Sequence, residues 1–392
     1  MKININHKQA TKRIYGLDII RAIAIVLVFI GHTSQHSIPP EWLKNIGRFG
    51  SLGVELFFVL SGFLIGGILL KLVEKGQFQN FPNLVLFWKR RWMRTIPLYI
   101  VALLAFLRFD YHGWHSITFH PEYWLFLQNL AWPIPDDFFT LSWSLAVEEH
   151  FYLWFPSIFL ILYIFISKKS AFYTTTFIFL GIAISYRLSL PWNMEWNTFN
   201  FLSRMVVLSK LDSIMFGVLM AYIYQYHKYV WTTLSRLFPL WLILVLSLFY
   251  WYYIGAPRST TPLFQLLGMT IQSLLLSLLL PWFFHIKYQP KGLFSKTIVW
   301  TSKISYSLYL GHILVIIFIN HILINTGIYH TIYPIFYYLY PIYFICFYLL
   351  ASFTYYTIER PFLKLRDEGI SKKNIPSFIP FILMITYLIF IA

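Results

Sequence analysis

Residues 17–36 read LDIIRAIAIVLVFIGHTSQH. The run is apolar enough to cross a bilayer, which takes about 20 such residues, yet it carries Asp18 and Arg21 near one end and His32 near the other. A charge in hydrocarbon is expensive, so residues of this kind turn toward a bundle interior or a partner. At about 100° per residue, the steps from Arg21 to His32 come within about 20° of three full turns. The two therefore share one helix face, roughly 16 Å apart along the axis. Asp18 and Arg21, three residues apart, can pair on one face as well.

The rest of the chain is of the same kind. Its 392 residues are 58% hydrophobic and 21% aromatic, with only 12% charged. A soluble chain of this length carries about 25% charged residues, so the composition predicts an all-α, polytopic transmembrane helical bundle. Apolar windows place spans near 14–32, 52–71, 95–109, 141–166, 172–190, 205–225, 237–254, 262–284, 304–324, 332–357 and 375–391, about 10–11 in all. The formal net charge of +16 would suggest nucleic acid in a soluble protein. Here most of the 31 Lys and Arg fall in alternate loops, such as KRRWMR, SKK and ERPFLKLR. That bias predicts a cytoplasmic N-terminus and no nucleic-acid partner.

The single cysteine, Cys346, lies in an apolar run and excludes a disulfide framework or a zinc-cysteine site, so no metal is expected. The first span runs into a polar hairpin without a signal-peptide cleavage motif. No repeat, low-complexity tract or soluble domain is evident, and residues 1–392 read as one membrane domain. Its motif-bearing core is 14–366, with 375–391 an additional C-terminal span. The longest outer loop, about 110–138, contains EYWLFLQNL, read as a short amphipathic segment.

Polar residues recur inside the later spans. GVELFFVLSGFLIGG (53–67) carries Glu55 at about the depth of His32, while Ser61, Gly62, Gly66 and Gly67 permit close helix approach. FWKRRWMRTIP (87–97) concentrates Lys89, Arg90, Arg91 and Arg94. Anchoring at anionic head groups accounts for such a cluster; the functional alternative is a guanidinium cradle for a phosphorylated ligand. TLSWSLAVEEHFYLWFP (140–156) sets Glu148 beside Glu149, with Ser142, Trp143 and Ser144 suggesting a polar pocket suited to proton transfer. In KISYSLYLGH (303–312), Ser305, Tyr309 and His312 follow i, i+4, i+7 as a polar stripe. YYTIERPF places Glu359 just before the helix-breaking Pro361.

Each feature alone has a plain reading as a structural ion pair, an interfacial histidine or a lipid anchor. Together they predict a shared interior cavity, with Asp18, Glu55, Ser61, Ser305, Tyr309, His312 and Glu359 as further polar candidates. A transporter or flippase for a glycan or lipid-linked precursor also suits charged, glycine-interrupted spans, although it predicts internal repeats.

Taken in order, LDIIRAIAIVLVFIGH, GVELFFVLSGFLI, FWKRRWMRTIP, SWSLAVEEHFYLWFP, ISYSLYLGH and IERPF resemble the signatures of the acyltransferase-3 family of integral membrane acyltransferases. The resemblance covers about residues 14 to 366. It implies transfer of an acyl group, commonly acetyl, from cytosolic acyl-CoA to a hydroxyl of a carbohydrate, as in polysaccharide and lipopolysaccharide O-acetylation. The acceptor would be a glycan or lipid-linked sugar at the bacterial inner membrane, with separate glycan-assembly proteins as possible partners. A small hydrophobic acceptor on the cytoplasmic side is the alternative.

Carried across by position, the resemblance makes His32 the catalytic histidine and Arg21 its partner. Arg91 and Arg94, with Arg90 adjacent, would contact the phosphates of the CoA donor, and Glu148 or Glu149 would belong to the catalytic pocket. Gly311, Lys210 and His150 depart from the family pattern at positions that bear on the acceptor. Some relatives carry a soluble hydrolase-like domain at the C-terminus, so this membrane domain is expected to complete the transfer itself or pass the acyl group to another protein. As a simple span, α-helical geometry puts His32 about 28 Å from Ile14. The donor must then reach through a deep cavity or use a relay.

Overall fold

The computed structural model describes residues 13–36, 41–109, 121–135, 138–251, 261–287, 291–326, 336–368 and 375–388. Among them no β-strand forms, as expected where hydrocarbon leaves backbone groups to satisfy one another within helices. Helix α1 (Tyr15–His36) runs from what we call the near face to the far face, followed by the short α2 (Glu41–Gly47). α3 (Gly50–Glu74) returns, and α4 (Phe81–Phe109) goes out again. α5 (Ser142–Phe165) and α6 (Lys168–Leu188) make the next pair, then α7 (Trp196–Phe199) and α8 (Val207–Tyr226). α9 (Lys228–Arg236) bends by 64° into α10 (Phe238–Phe249). α11 (Pro262–Ser277) and α12 (Leu280–His285) precede the long α13 (Leu293–Asn325). α14 (Phe336–Thr354) continues through a π-helical turn, Tyr355–Glu359, into α15 (Arg360–Glu368), and α16 (Ile379–Thr386) is the last.

Among the described residues eight helices are long and apolar enough to span a membrane, or nine if α9 and α10 act as one. The eleven expected spans differ from this for two reasons. The expected 95–109 span is only the second half of α4, a 29-residue helix that begins at Phe81 and carries the Lys89–Arg94 basic cluster within it. The expected 375–391 span contains in its described part a 3-10 turn, Ile375–Phe378, that leads into the 8-residue α16, the latter about 12 Å of α-helix at 1.5 Å per residue.

α3 is the central post, and small residues let its neighbours reach it. A Cβ on Gly62 would lie 1.9 Å from the Ile214 carbonyl oxygen of α8, and one on Gly217 would lie 2.0 Å from that of Val59. The same contact at the far end joins α1 to α3, where a Cβ on Gly50 would sit 2.7 Å from the Cα of Gly31. Gly67, by contrast, has nothing within 4 Å and serves no packing contact.

EYWLFLQNL is not a surface helix. Only Pro121–Leu125 forms a short 3-10 turn, after which the chain dips inward and buries Gln128 and Asn129 completely. The backbone carbonyls of Asn129 and Leu130 accept the N–H groups of Val207 and Leu208 at 2.9 and 3.2 Å. These are donors that the start of α8 cannot satisfy within its own helix. Asn129 Nδ2 donates in turn to the carbonyls of Trp143 and Met205 at 3.1 and 2.6 Å. The segment thus ties together the starts of α5 and α8, and two amide side chains decide its path.

Candidate active site

Five helices, α1, α3, α4, α5 and α13, enclose a cavity of about 110 Å³. Its polar wall consists of Arg21 from α1, Ser61 from α3, and Arg91, Arg94 and Thr95 from α4. α5 adds Ser144, Glu148 and Tyr152, and α13 adds Ser305, Tyr306 and Tyr309. Three guanidinium groups thus face one carboxylate, so the space favours an anionic guest whose oxygens match guanidinium forks. Nε of Arg91 is buried with no hydrogen-bond partner among the described residues. Among those residues its desolvation is uncompensated. Along α3 the lining runs from Val54 to Ile65, roughly 16 Å of helix.

The wall is cross-braced by hydroxyls. Tyr152 donates to Oε2 of Glu148 at 2.7 Å, and Ser61 Oγ is hydrogen-bonded to the Tyr152 hydroxyl. Tyr306 donates to the Thr95 carbonyl at 2.7 Å, joining α13 to α4. The Tyr309 and Ser144 hydroxyls meet at 2.6 Å, joining α13 to α5.

One step beyond the cavity lies a pair of histidines. His312 Nε2 is 3.0 Å from His32 Nδ1, and the backbone carbonyl of Tyr309 contacts His312 Nδ1 at 2.7 Å. Because Gly31 meets Gly50 across α1 and α3, His32 stands about one helix turn, ~6 Å, outward of Val54 at the cavity's far end.

A family model described as an acyltransferase domain matches residues 14–360. The chain belongs to the acyltransferase-3 family. It is 29% identical to a protein of Staphylococcus aureus strain MRSA252 whose name marks it as a candidate O-acetyltransferase; the match covers 95% of this chain and 61% of the relative. The O-acetyltransferase OatA of S. aureus strain NCTC 8325 is 26% identical over 89% of this chain and 57% of its own length. The peptidoglycan O-acetyltransferase OatA of Listeria monocytogenes is 30% identical over 39% of this chain and 25% of its own length. The chain therefore spans about 61% of the length of the first of these relatives. No solved structure matches it.

Eight of the residues singled out in this acyltransferase by sequence line the cavity: Arg21, Ser61, Arg91, Arg94, Ser144, Glu148, Ser305 and Tyr309. His32 and His312 form the pair just beyond it. Arg91 and Arg94 lie ten and thirteen residues into α4, about 15 and 20 Å from its start, well inside the bundle rather than at its rim. Arg90 is half-buried beside them but does not line the space. Glu149 is buried against Thr95 and Trp92 of α4, with Oε2 lacking a hydrogen-bond partner among the described residues.

Three cavity candidates are engaged elsewhere. Asp18 binds Arg13 through both oxygens, at 2.5 and 2.7 Å, and accepts from Ser302 at 2.7 Å. Its distance of 4.0 Å to Arg21 makes the expected i,i+3 pair the lesser one. Glu55 is paired with Lys210 at 2.6 Å and accepts from Ser273 at 3.3 Å, all three fully buried. Glu359 accepts from Ser307 at 3.0 Å. Each carboxylate meets a donor from a distant part of the chain, or in Asp18 a nearby arginine, which removes it from the cavity.

Sequence reasoning missed Tyr152, Thr95 and Tyr306. Tyr152 is four residues after Glu148, the spacing of a same-face pair, and that signal could have found it. The Arg187–Asp212 pair, at 2.8 Å and wholly buried beside Lys210, was also unread.

Proposed function

We propose that this domain transfers an acyl group, acetyl in the simplest case, from acyl-CoA to a hydroxyl of a carbohydrate at a bacterial cytoplasmic membrane. The near face, from which α1 starts, is then cytoplasmic. The observation that carries this reading is the cavity itself. Three arginines sunk into the bundle lie at one part of a space whose far end stops about a helix turn short of His32. The names of the relatives, O-acetyltransferases and in one case a peptidoglycan O-acetyltransferase, support the class of acceptor.

In this mechanism Arg91 and Arg94 hold phosphate oxygens of the donor through charge-assisted hydrogen bonds, and the thioester extends along α3 toward His32. His32 takes the proton from the acceptor hydroxyl as its oxygen attacks the thioester carbon. The carbon–sulfur bond then breaks, and the imidazolium returns the proton to the departing thiolate. Arg21 faces the path and offsets negative charge that develops on the carbonyl oxygen. Glu148, held by Tyr152, balances the guanidinium charge when no donor is bound. With the acceptor entering from the far face, the depth of His32 is no obstacle, because the cavity covers most of the distance.

The deciding test is mass spectrometry of cell-surface glycans from cells with and without the protein, paired with acyl-CoA consumption by the full chain in lipid vesicles. An acyl mass difference that depends on acyl-CoA is expected. Glycan movement across the vesicle with no acyl-CoA requirement would overturn the reading in favour of a transporter.

A further inference from the structure

His312 is almost fully buried, and its ring is held by α13 on one side and by Phe347 edge-on at 6.2 Å on the other. Its Nδ1 faces two carbonyl oxygens, Leu308 at 3.2 Å and Tyr309 at 2.7 Å. Carbonyls only accept, so Nδ1 carries the proton. A neutral imidazole has one N–H, which makes Nε2 of His312 an acceptor. The atom 3.0 Å away is Nδ1 of His32, and it must be the donor.

The other contact of that nitrogen agrees. Nδ1 of His32 is 3.0 Å from the Val28 carbonyl, again only an acceptor. That carbonyl already takes the backbone N–H one turn along α1, so the imidazole of His312 offers the less encumbered lone pair.

We propose that His312 is a positioning residue: its buried Nε2 holds His32 as the Nδ1–H tautomer, leaving Nε2 of His32 as the basic nitrogen. The consequence rests on the acyl-transfer reading. When His32 takes the acceptor's proton at Nε2, the charge is shared through Nδ1–H with His312. This is the orienting role that a carboxylate plays in a hydrolase triad, filled here by a neutral group. A neutral partner suits this place, because an isolated buried carboxylate facing a resting imidazole would cost several kcal/mol in a low-dielectric interior.

The test is ¹⁵N solid-state NMR of the full chain, histidine-labelled, in lipid vesicles, with the His32 signals assigned by their loss in His32→Gln. His32 should show a protonated Nδ1 and an unprotonated Nε2, and in His312→Ala, where only the Val28 carbonyl still faces Nδ1, the Nε2–H tautomer should become measurably populated. A wild-type His32 with Nε2 protonated, or signals unchanged in His312→Ala, would overturn the proposal. The spectrum needs no turnover, so its outcome is separate from that of the acyl-transfer reading. In turnover, His312→Ala should lower kcat by about 10–100-fold, less than the ~10⁴ lost with a charged orienting group. The donor KM should stay within about twofold. His312→Gln, whose amide oxygen can accept from Nδ1–H, should recover part of kcat and keeps the test open if the alanine variant fails to fold.

Discussion

Ser61 of α3 and Tyr152 of α5 meet hydroxyl to hydroxyl in the wall of the cavity, and Tyr152 passes its own proton toward Glu148 at 2.7 Å. One phenol thereby ties a central helix to Glu148, the one carboxylate that lines the cavity among the described residues. Tyr152→Phe removes both hydrogen bonds while keeping the ring. We expect the fold to survive with a loss of about 1 kcal/mol, and acyl transfer to fall about tenfold as Glu148 loses its fixed orientation. Thermal unfolding and kcat/KM in the same detergent separate the two effects.

Arg91 and Arg94 should act on donor binding. A hydrogen bond to a charged group contributes about 1.5–3 kcal/mol, so Arg91→Ala or Arg94→Ala should raise the acyl-CoA KM by about 10–100-fold with a smaller effect on kcat. An unchanged KM in both variants would reduce them to membrane anchors.

His32→Ala should abolish general-base assistance, a loss of about 10²–10⁴ in kcat, with donor affinity retained. Acyl-CoA binding by calorimetry alongside turnover shows whether the defect is chemical. Full transfer in this variant would remove His32 from the mechanism.

The buried Lys210–Glu55 pair, 2.6 Å apart, belongs to stability rather than chemistry. Lys210→Met alone strands a carboxylate and should cost about 3–5 kcal/mol, whereas adding Glu55→Leu removes the stranded charge and should recover much of it. Unfolding temperatures of the two single variants and the double variant make the comparison.

Gly62 and Gly67 read alike in sequence but should respond oppositely. Ala at Gly62 would put its Cβ 1.9 Å from a backbone oxygen of α8, and prying α3 from α8 should cost at least about 1–3 kcal/mol. Ala at Gly67 meets nothing within 4 Å and should be neutral or stabilise by about 0.5–1 kcal/mol. Equal effects at the two sites would contradict the packing described for α3.

Much of the site was legible because helix periodicity is local. Ser305 and Tyr309 at i, i+4 do share a wall, and Arg91 and Arg94 at i, i+3 do face one space. What periodicity could not supply was the partner across the bundle. Glu55 and Glu148 both sit in apolar spans, yet Glu55 meets Lys210, 155 positions away, while Glu148 meets Tyr152 one turn on. Helix limits were least legible where basic residues sit inside a helix. The sequence predicts α4 only from residue 95, yet it starts at Phe81.

By itself the sequence determined the helical membrane class, the alternation of spans and the set of polar residues from which a site could be made. These follow from hydrocarbon's intolerance of open backbone and unpaired charge, a constraint that acts residue by residue. The tertiary structure decided which of those polar residues share a space. Arg21 and His32 occupy one face of α1, but the packing of α3, α4, α5 and α13 encloses Arg21 in the cavity and leaves His32 beyond it, against His312. That division depends on where close glycine contacts and buried ion pairs set neighbouring helices, and those contacts join residues far apart in the chain.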